Sequence, residues 1–212
     1  MSSIADIRKE YKLRSLSETD VAADPITQFT RWWEEATQSG IDEVNAMTLA
    51  TTSHNIPSAR IVLLKGYDEK GFVFFTNYDS LKAQDIKETP RVALLFFWKE
   101  LERQVRIIGV IDKTTAAESD TYFNSRPEGS RIGAWTSPQS HVIESREWLE
   151  RREKDFEKKF EGKIITRPDN WGGYRVKPLR IEFWQGRPSR LHDRIQYTLV
   201  EKEKWKIERL AP

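Results

Sequence analysis

The stretch that decides the fold runs from Ala46 to Asp112. It holds AMTLATT (46–52), SARIVLLKG (58–66), FVFFTN (72–77), RVALLFFW (91–98) and RQVRIIGVID (103–112). Each run is short and rich in β-branched and aromatic side chains, a composition that fits a pleated, half-buried surface better than a helix. A polar Ser53-His54-Asn55 turn separates the first two, and Asp68-Glu69-Lys70-Gly71 leads into the third. Only the next connection is longer, with Ser80 placed to cap a short helix that stops at Pro90. Parallel pairing needs long crossovers, so these strands are expected to form a mainly antiparallel sheet that closes as a barrel or sandwich.

Upstream, residues 1–23 are charged and polar with few apolar positions and read as an arm. Asp24-Pro25 supplies an N-cap and a proline at the first helical position; Ile26, Phe29, Trp33 and Ala36 follow at helical spacing, and Gly40 ends the helix. Downstream, Thr114 to Phe160 turns helical, with one helix around Glu118–Phe123 broken at Pro127 and a longer one from Ser145 to Phe160. After a Pro/Gly-rich loop, strands return as YRVKP, RIEFWQG, LHDRIQYTLV and KWKIERL. The expected class is α+β, a single domain over 24–212 whose sheet is completed by its C-terminal strands, preceded by an arm over 1–23.

Composition narrows the chemistry. Thirty-five Lys and Arg against 33 Asp and Glu leave a formal charge of +2 over 212 residues, which does not mark a nucleic-acid binder, so anion binding must come from local clusters. No cysteine means no disulfide, thiolate metal site or cysteine nucleophile, and three histidines (His54, His141, His192) make a His-built zinc site a poor expectation. No apolar run approaches the ~20 residues that cross a bilayer, and the start lacks a signal-peptide core, so a cytoplasmic protein without a membrane partner is expected. Eight tryptophans suit either a rigid core or a surface that stacks flat rings.

Four constellations stand out. Arg60 and Lys65 bracket Ile61-Val62-Leu63-Leu64, a strand expected to be buried along its length and to carry cations to a rim; from this segment alone plain solvated strand ends are the better reading. Thr76-Asn77 and Ser80 to Lys82, at a strand-to-helix junction, form either a phosphate seat or a simple cap. Tyr122 and Arg126 fall on one helical face with Ser130 in the following loop, a set that suits a phosphomonoester or an ordinary surface helix. Arg190, His192 and Arg194 would share one face of a strand by alternation, where they repel unless an anionic ligand or acidic partner sits there.

The order and spacing of RIVLLKG (60–66), FVFFTN (72–77), ERQVRIIG (102–109), YFNSRP and RIGAW (122–135), SPQS (137–140), WGGYRV (171–176), IEFWQG (181–186), RLHDR (190–194) and IERLAP (207–212) resemble the pyridoxine/pyridoxamine 5′-phosphate oxidase family. The resemblance implies an antiparallel FMN-binding split β-barrel with flanking helices, working as a homodimer with FMN at the interface. It places FMN contacts on Arg60, Ile61, Val62, Leu63, Leu64, Lys65, Phe75, Thr76, Lys82, Gln104, Gln139, Ser140, Trp184 and Arg194. Substrate contacts fall on Lys65, Tyr122, Arg126, Ser130, Arg190 and His192, the last two as catalytic residues, with Arg8 and Tyr11 of the arm folding over the substrate as a lid. The reaction implied is oxidation of pyridoxamine or pyridoxine 5′-phosphate to pyridoxal 5′-phosphate, with O2 as acceptor, H2O2 as by-product and NH3 released from the amine. No metal is implied. The chain departs from the family pattern at Phe75, where many members have Tyr, at Leu81, where many have Arg, and at Arg131, near a common Gln. A split-barrel flavin oxidase or reductase with another substrate would keep the flavin residues and lose the set at 122, 126, 130, 190 and 192.

Overall fold

The computed structural model describes residues 3–7, 9–202 and 204–212. It is α+β: helices α1 (Pro25–Gln38), α2 (Leu81–Glu88), α3 (Ala116–Ser125), α4 (Glu128–Thr136) and α5 (Arg146–Phe160) surround strands β1 (Ala46–Ser53), β2 (Ile56–Leu63), β3 (Gly66–Asp68), β4 (Gly71–Asn77), β5 (Arg91–Trp98), β6 (Arg103–Lys113), β7 (Trp171–Gln185), β8 (Asp193–Glu201) and β9 (Lys204–Arg209). Every strand pairing is antiparallel, as the short connections demand.

The sheet runs β2-β1-β5-β6-β7-β4-β3, and its two end strands are consecutive in the chain. β2 pairs with β1 and β3 pairs with β4, so the sheet meets itself at Leu64–Lys65 and then splays. At that seam Leu64 N donates to Asn45 O (2.8 Å) and Lys65 N to Val73 O (2.8 Å). Lys65 is thereby fixed where the barrel splits.

β7 corrects the expectation of two separate strands, for it continues through Pro178. Its first part pairs with β4 (Trp171–Val176) and its last with β8 (Arg180–Gln185), while β6 covers the other edge from Tyr174 to Gln185. Pro178 sits between the two partners, where the missing N–H costs no ladder bond on that side. The β6 register shifts there, at Ile108/Gly109, and a Cβ on Gly109 would lie 2.3 Å from Lys177 O.

The barrel core holds Met47, Leu49, Phe72, Phe74, Leu94, Phe96, Val105 and Ile107. α1 closes one end: Phe29, wholly buried, meets Phe72 edge-on at 4.9 Å and Phe96 at 5.3 Å. Each such ring contributes about 1.5–3 kcal/mol by burial. Arm residues Leu16 and Ala22 are also buried. A second cluster, Phe123, Ile132, Ile165 and Trp171, joins α3 and α4 to the start of β7. Contrary to expectation, β2 is largely exposed, with Ile61 at 65 %. It borders only β1 along its length, and no layer of the described chain covers its face. Among the described residues no helix is long and apolar enough to cross a membrane.

Candidate active site

Where the barrel splits, a cavity of about 510 Å³ opens between β2, the end of β4, α2 and the α3–α4 corner. Its lining includes Ile61, Val62, Leu63, Lys65, Phe75, Thr76, Lys82, Tyr122, Arg126, Ser130, Gln139 and Trp171. One end gathers cations and neutral polar groups. Lys82, in the first turn of α2, donates to Gln139 Oε1 (2.7 Å), Thr76 Oγ1 (3.2 Å) and Ser80 Oγ (3.3 Å). None of these is an acid. Burial, and after it the nearby Arg60 guanidinium, push the Lys82 ammonium down to about 8. Arg60 reaches Thr51 Oγ1 (2.6 Å) and stands 3.6 Å from Asp85.

At the other end Tyr122, Phe75 and Trp171 form a nearly parallel stack, with Phe75 4.0 Å from Tyr122 and 5.6 Å from Trp171 between centroids. Arg126 lies 4.6 Å over the Trp171 ring, and its Nη1 is buried with no hydrogen-bond partner. Burial lowers its pKa. A buried guanidinium nitrogen without a partner marks a place where a ligand acceptor belongs. Ser80 does not cap α2 with its side chain; its hydroxyl donates to Asn77 O (2.7 Å) and receives Lys82.

The α3–α4 corner differs from expectation. Arg126 is not helical (φ −76°, ψ 148°) and ends α3, while Ser130 lies in the first turn of α4 instead of a loop. Pro127 stops one helix and starts the next, so Tyr122, Arg126 and Ser130 converge through a corner and not along one face. Leu64 is core rather than lining, and Ser140 is an exposed residue with φ 71°.

The remaining candidates gather elsewhere. Register places Phe97, Gln104, Trp184 and Arg194 side by side across β5, β6, β7 and β8. His192 lies tilted against Trp184 at 4.6 Å, and Tyr11 meets Trp184 edge-on at 5.7 Å. Tyr11, Arg187, Arg190 and His192 line a second cavity of about 520 Å³. The expected alternation of Arg190, His192 and Arg194 fails. Arg190 (φ 62°) belongs to a one-turn 3-10 segment, and β8 begins only at Asp193. Nor do three free cations crowd one face, because Arg194 Nε is bound to the buried Glu182 (2.8 Å), which also holds Arg106. His192 Nδ1 accepts from Arg187 N (3.1 Å), so a neutral ring carries its proton on Nε2. Burial, then Arg190, lower the His192 pKa, opposed by Asp193. Arg8 lies outside the described residues.

The two groups occupy opposite ends of β7, Trp171 in the first and Trp184 in the second, a contour of about 40 Å at ordinary strand rise. Trp171 and Pro127 are the lining residues that sequence reasoning missed, and Trp171 is the larger. The WGGYRV run was its signal, and Gly172 and Gly173 let Tyr78 and Phe75 pack against the backbone.

Comparison with known proteins agrees with this arrangement. Residues 33–159 match the family model described as pyridoxamine 5′-phosphate oxidase, and residues 171–212 match the pyridoxine 5′-phosphate oxidase C-terminal dimerisation region. The chain is 56% identical over 211 residues to the pyridoxine/pyridoxamine 5′-phosphate oxidase of Trichormus variabilis, covering 99% of each. It is 57% identical over 213 residues to that of Cupriavidus metallidurans, covering 100% of both. Among solved structures, PhzG of Burkholderia lata, in complex with tetrahydrophenazine-1-carboxylic acid, superposes with a TM-score of 0.87 at 28% identity over 94% of this chain and 99% of that one. A pyridoxamine 5′-phosphate oxidase-related FMN-binding protein of Nostoc punctiforme shares the fold, with a TM-score of 0.69 at 17% identity, covering 91% of this chain and 100% of that one. The chain belongs to the pyridoxine/pyridoxamine 5′-phosphate oxidase family.

Proposed function

We infer that this chain is an FMN-dependent oxidase that converts pyridoxamine and pyridoxine 5′-phosphate to pyridoxal 5′-phosphate with O2 as electron acceptor. The observation that carries the reading is the cavity at the barrel split. Lys82 donates to no acid there, an Arg126 nitrogen is buried unpartnered, and three aromatic rings are stacked beside them. Such a donor set fits phosphorylated aromatic molecules, FMN among them.

In this reading Lys82, Arg60, Thr76 and Gln139 hold the FMN phosphate, and the chain from Ile61 to Lys65, at the end of β2, borders the cofactor. When bound, FMN supplies a two-electron acceptor that O2 reoxidises. The chain's own groups do the positioning. Lys65, Tyr122, Arg126 and Ser130 hold the substrate phosphate, so that binding energy remote from the reacting carbon fixes its place. The Nε2–H of His192 is a neutral donor, and Arg190 packs beside it. Tyr11 shields this half of the site from water.

A single protomer does not bring the two halves together. The chain acts as a homodimer, and a second copy supplies Gln104, Trp184, Arg190, His192 and Arg194 to the cavity of the first. The exposed Ile61 (65 %) and Phe97 (52 %) support this arrangement, since apolar side chains on open strands want a cover.

Purified protein is expected to be yellow, to run as a dimer and to release H2O2 when given either substrate. A flavin spectrum with no peroxide from either substrate would move the chain to another split-barrel oxidase.

A further inference from the structure

We propose that Glu102 is the positioning residue of the arm, acting through Tyr11. Glu102 occupies the turn that joins β5 to β6, in left-handed backbone (φ 55°). Its carboxylate is 3 % exposed, yet nothing in the barrel neutralises it. Its partners come from the arm: Oε2 accepts from Lys12 N (2.8 Å) and Leu13 N (3.1 Å), and Oε1 lies 3.4 Å from Lys9 Nζ. Its main-chain oxygen accepts from Gly186 N (2.8 Å) and Gln185 Nε2 (3.2 Å) at the end of β7. One residue thus ties together the β6 start, the Trp184 strand end and the arm.

Two of the bonds go to consecutive backbone N–H groups, so the carboxylate fixes the register of the chain whatever side chains stand at 12 and 13. The residue just before them is Tyr11, whose ring is then held 5.7 Å from Trp184 and 5.9 Å from His192. The docking surface on the other side is Gly186, where an added Cβ would lie 2.7 Å from both Cβ and Cγ of Tyr11. A buried carboxylate that finds its donors only when the arm is down favours the docked arm, because leaving it unpaired is costly.

The proposal rests on the arm's lying over the substrate, and its test separates the two. KM and kcat for pyridoxamine 5′-phosphate, flavin content and the rate of tryptic cleavage after Lys9, Lys12 and Arg14 are measured on flavin-loaded full-length protein. The variants are Tyr11→Ala, Glu102→Ala, their combination, and Glu102→Gln. Glu102→Ala is expected to raise KM about tenfold with flavin content unchanged and arm cleavage faster. The double variant is expected to match Tyr11→Ala, and Glu102→Gln, which keeps an acceptor oxygen, to stay within about threefold of the parent. Gly186→Ala, which keeps the carboxylate and presses mainly on Tyr11 (2.7 Å) and less on Glu102 Cβ (3.1 Å), should raise KM likewise, and serves if Glu102→Ala does not fold. Raised KM in Tyr11→Ala with parental KM in Glu102→Ala (or in Gly186→Ala, where that stands in), additive effects in the double variant, or flavin loss in step with KM would each overturn the positioning role alone. Unchanged KM in Tyr11→Ala overturns the lid reading and the proposal with it.

Discussion

The two halves of the site treat positive charge in opposite ways. At the barrel split, Lys82 meets only hydroxyls and an amide, and Arg126 has a buried nitrogen with no partner. At the far end of β7, Arg106 and Arg194 share Glu182, Arg187 and Arg209 share Asp193, and Lys9 faces Glu102. The first half thus leaves Lys82 and Arg126 without an acid, the feature on which the proposed anion site rests, while Arg60 keeps Asp85 at 3.6 Å. The second is largely neutralised, Arg190 having no ion pair among the described residues, and its ion pairs hold rings and an arm in place. A cation is evidence of a ligand only where no acid reaches it, and acids reach it mostly from distant parts of the chain.

The largest test of this contrast is Arg126→Met. Removing the unpartnered guanidinium is expected to lower kcat/KM for the phosphorylated substrates by about 100- to 1,000-fold. The melting temperature should hold or rise, since no protein acceptor is orphaned. A clear loss of stability without loss of activity would make Arg126 a structural cation and erase the contrast.

Glu182→Ala probes the other half. It leaves Arg106 and Arg194 without their shared acid and is expected to cost about 2–4 kcal/mol, seen as a melting temperature lower by about 5–10 °C. Unchanged stability would show that the pairing is idle.

The smallest expected effect sharpens the first half. Lys82→Ala should weaken FMN binding to the apoprotein by about tenfold or more, read by fluorescence titration. In the parent, the free Lys82 loses its proton near pH 8, whereas a phosphate dianion would hold it. Binding therefore takes up a proton, and affinity should fall as pH rises past 8. Lys82→Arg should flatten that slope. Stability of the apoprotein runs the other way. The unfolded chain keeps this proton up to the usual 10.5, so the contribution of Lys82 to folding improves between about 8 and 10.5.

Much of this was legible beforehand. β-branched runs with short connections imply an antiparallel sheet whatever the tertiary detail, and they appear where the sequence places them, within a few residues. The grouping of Thr76, Ser80 and Lys82 was legible because it is local, a strand end and a helix start six residues apart. Readings that extended a local period across a break went wrong. Tyr122 and Arg126 were assigned a helical face, but Pro127 ends that helix. Arg190, His192 and Arg194 were assigned a strand, but Pro188 and two residues of positive φ put a tight turn there. β2 reads as a buried strand from its apolar run, yet within one chain it has no layer above it.

The sequence by itself determined most of the strands, their antiparallel sense, the lack of any thiol and the family to which the ordered motifs belong. Those features depend on side-chain type and on spacing along the chain. Tertiary structure alone decided which cations are neutralised, that the candidate residues separate into two groups along β7, and that Glu102 lies beneath the arm. The physical reason is range. Glu182 meets Arg106 across 76 residues and Glu102 meets Lys12 across 90, and no periodicity encodes a pairing that only a closed barrel brings about.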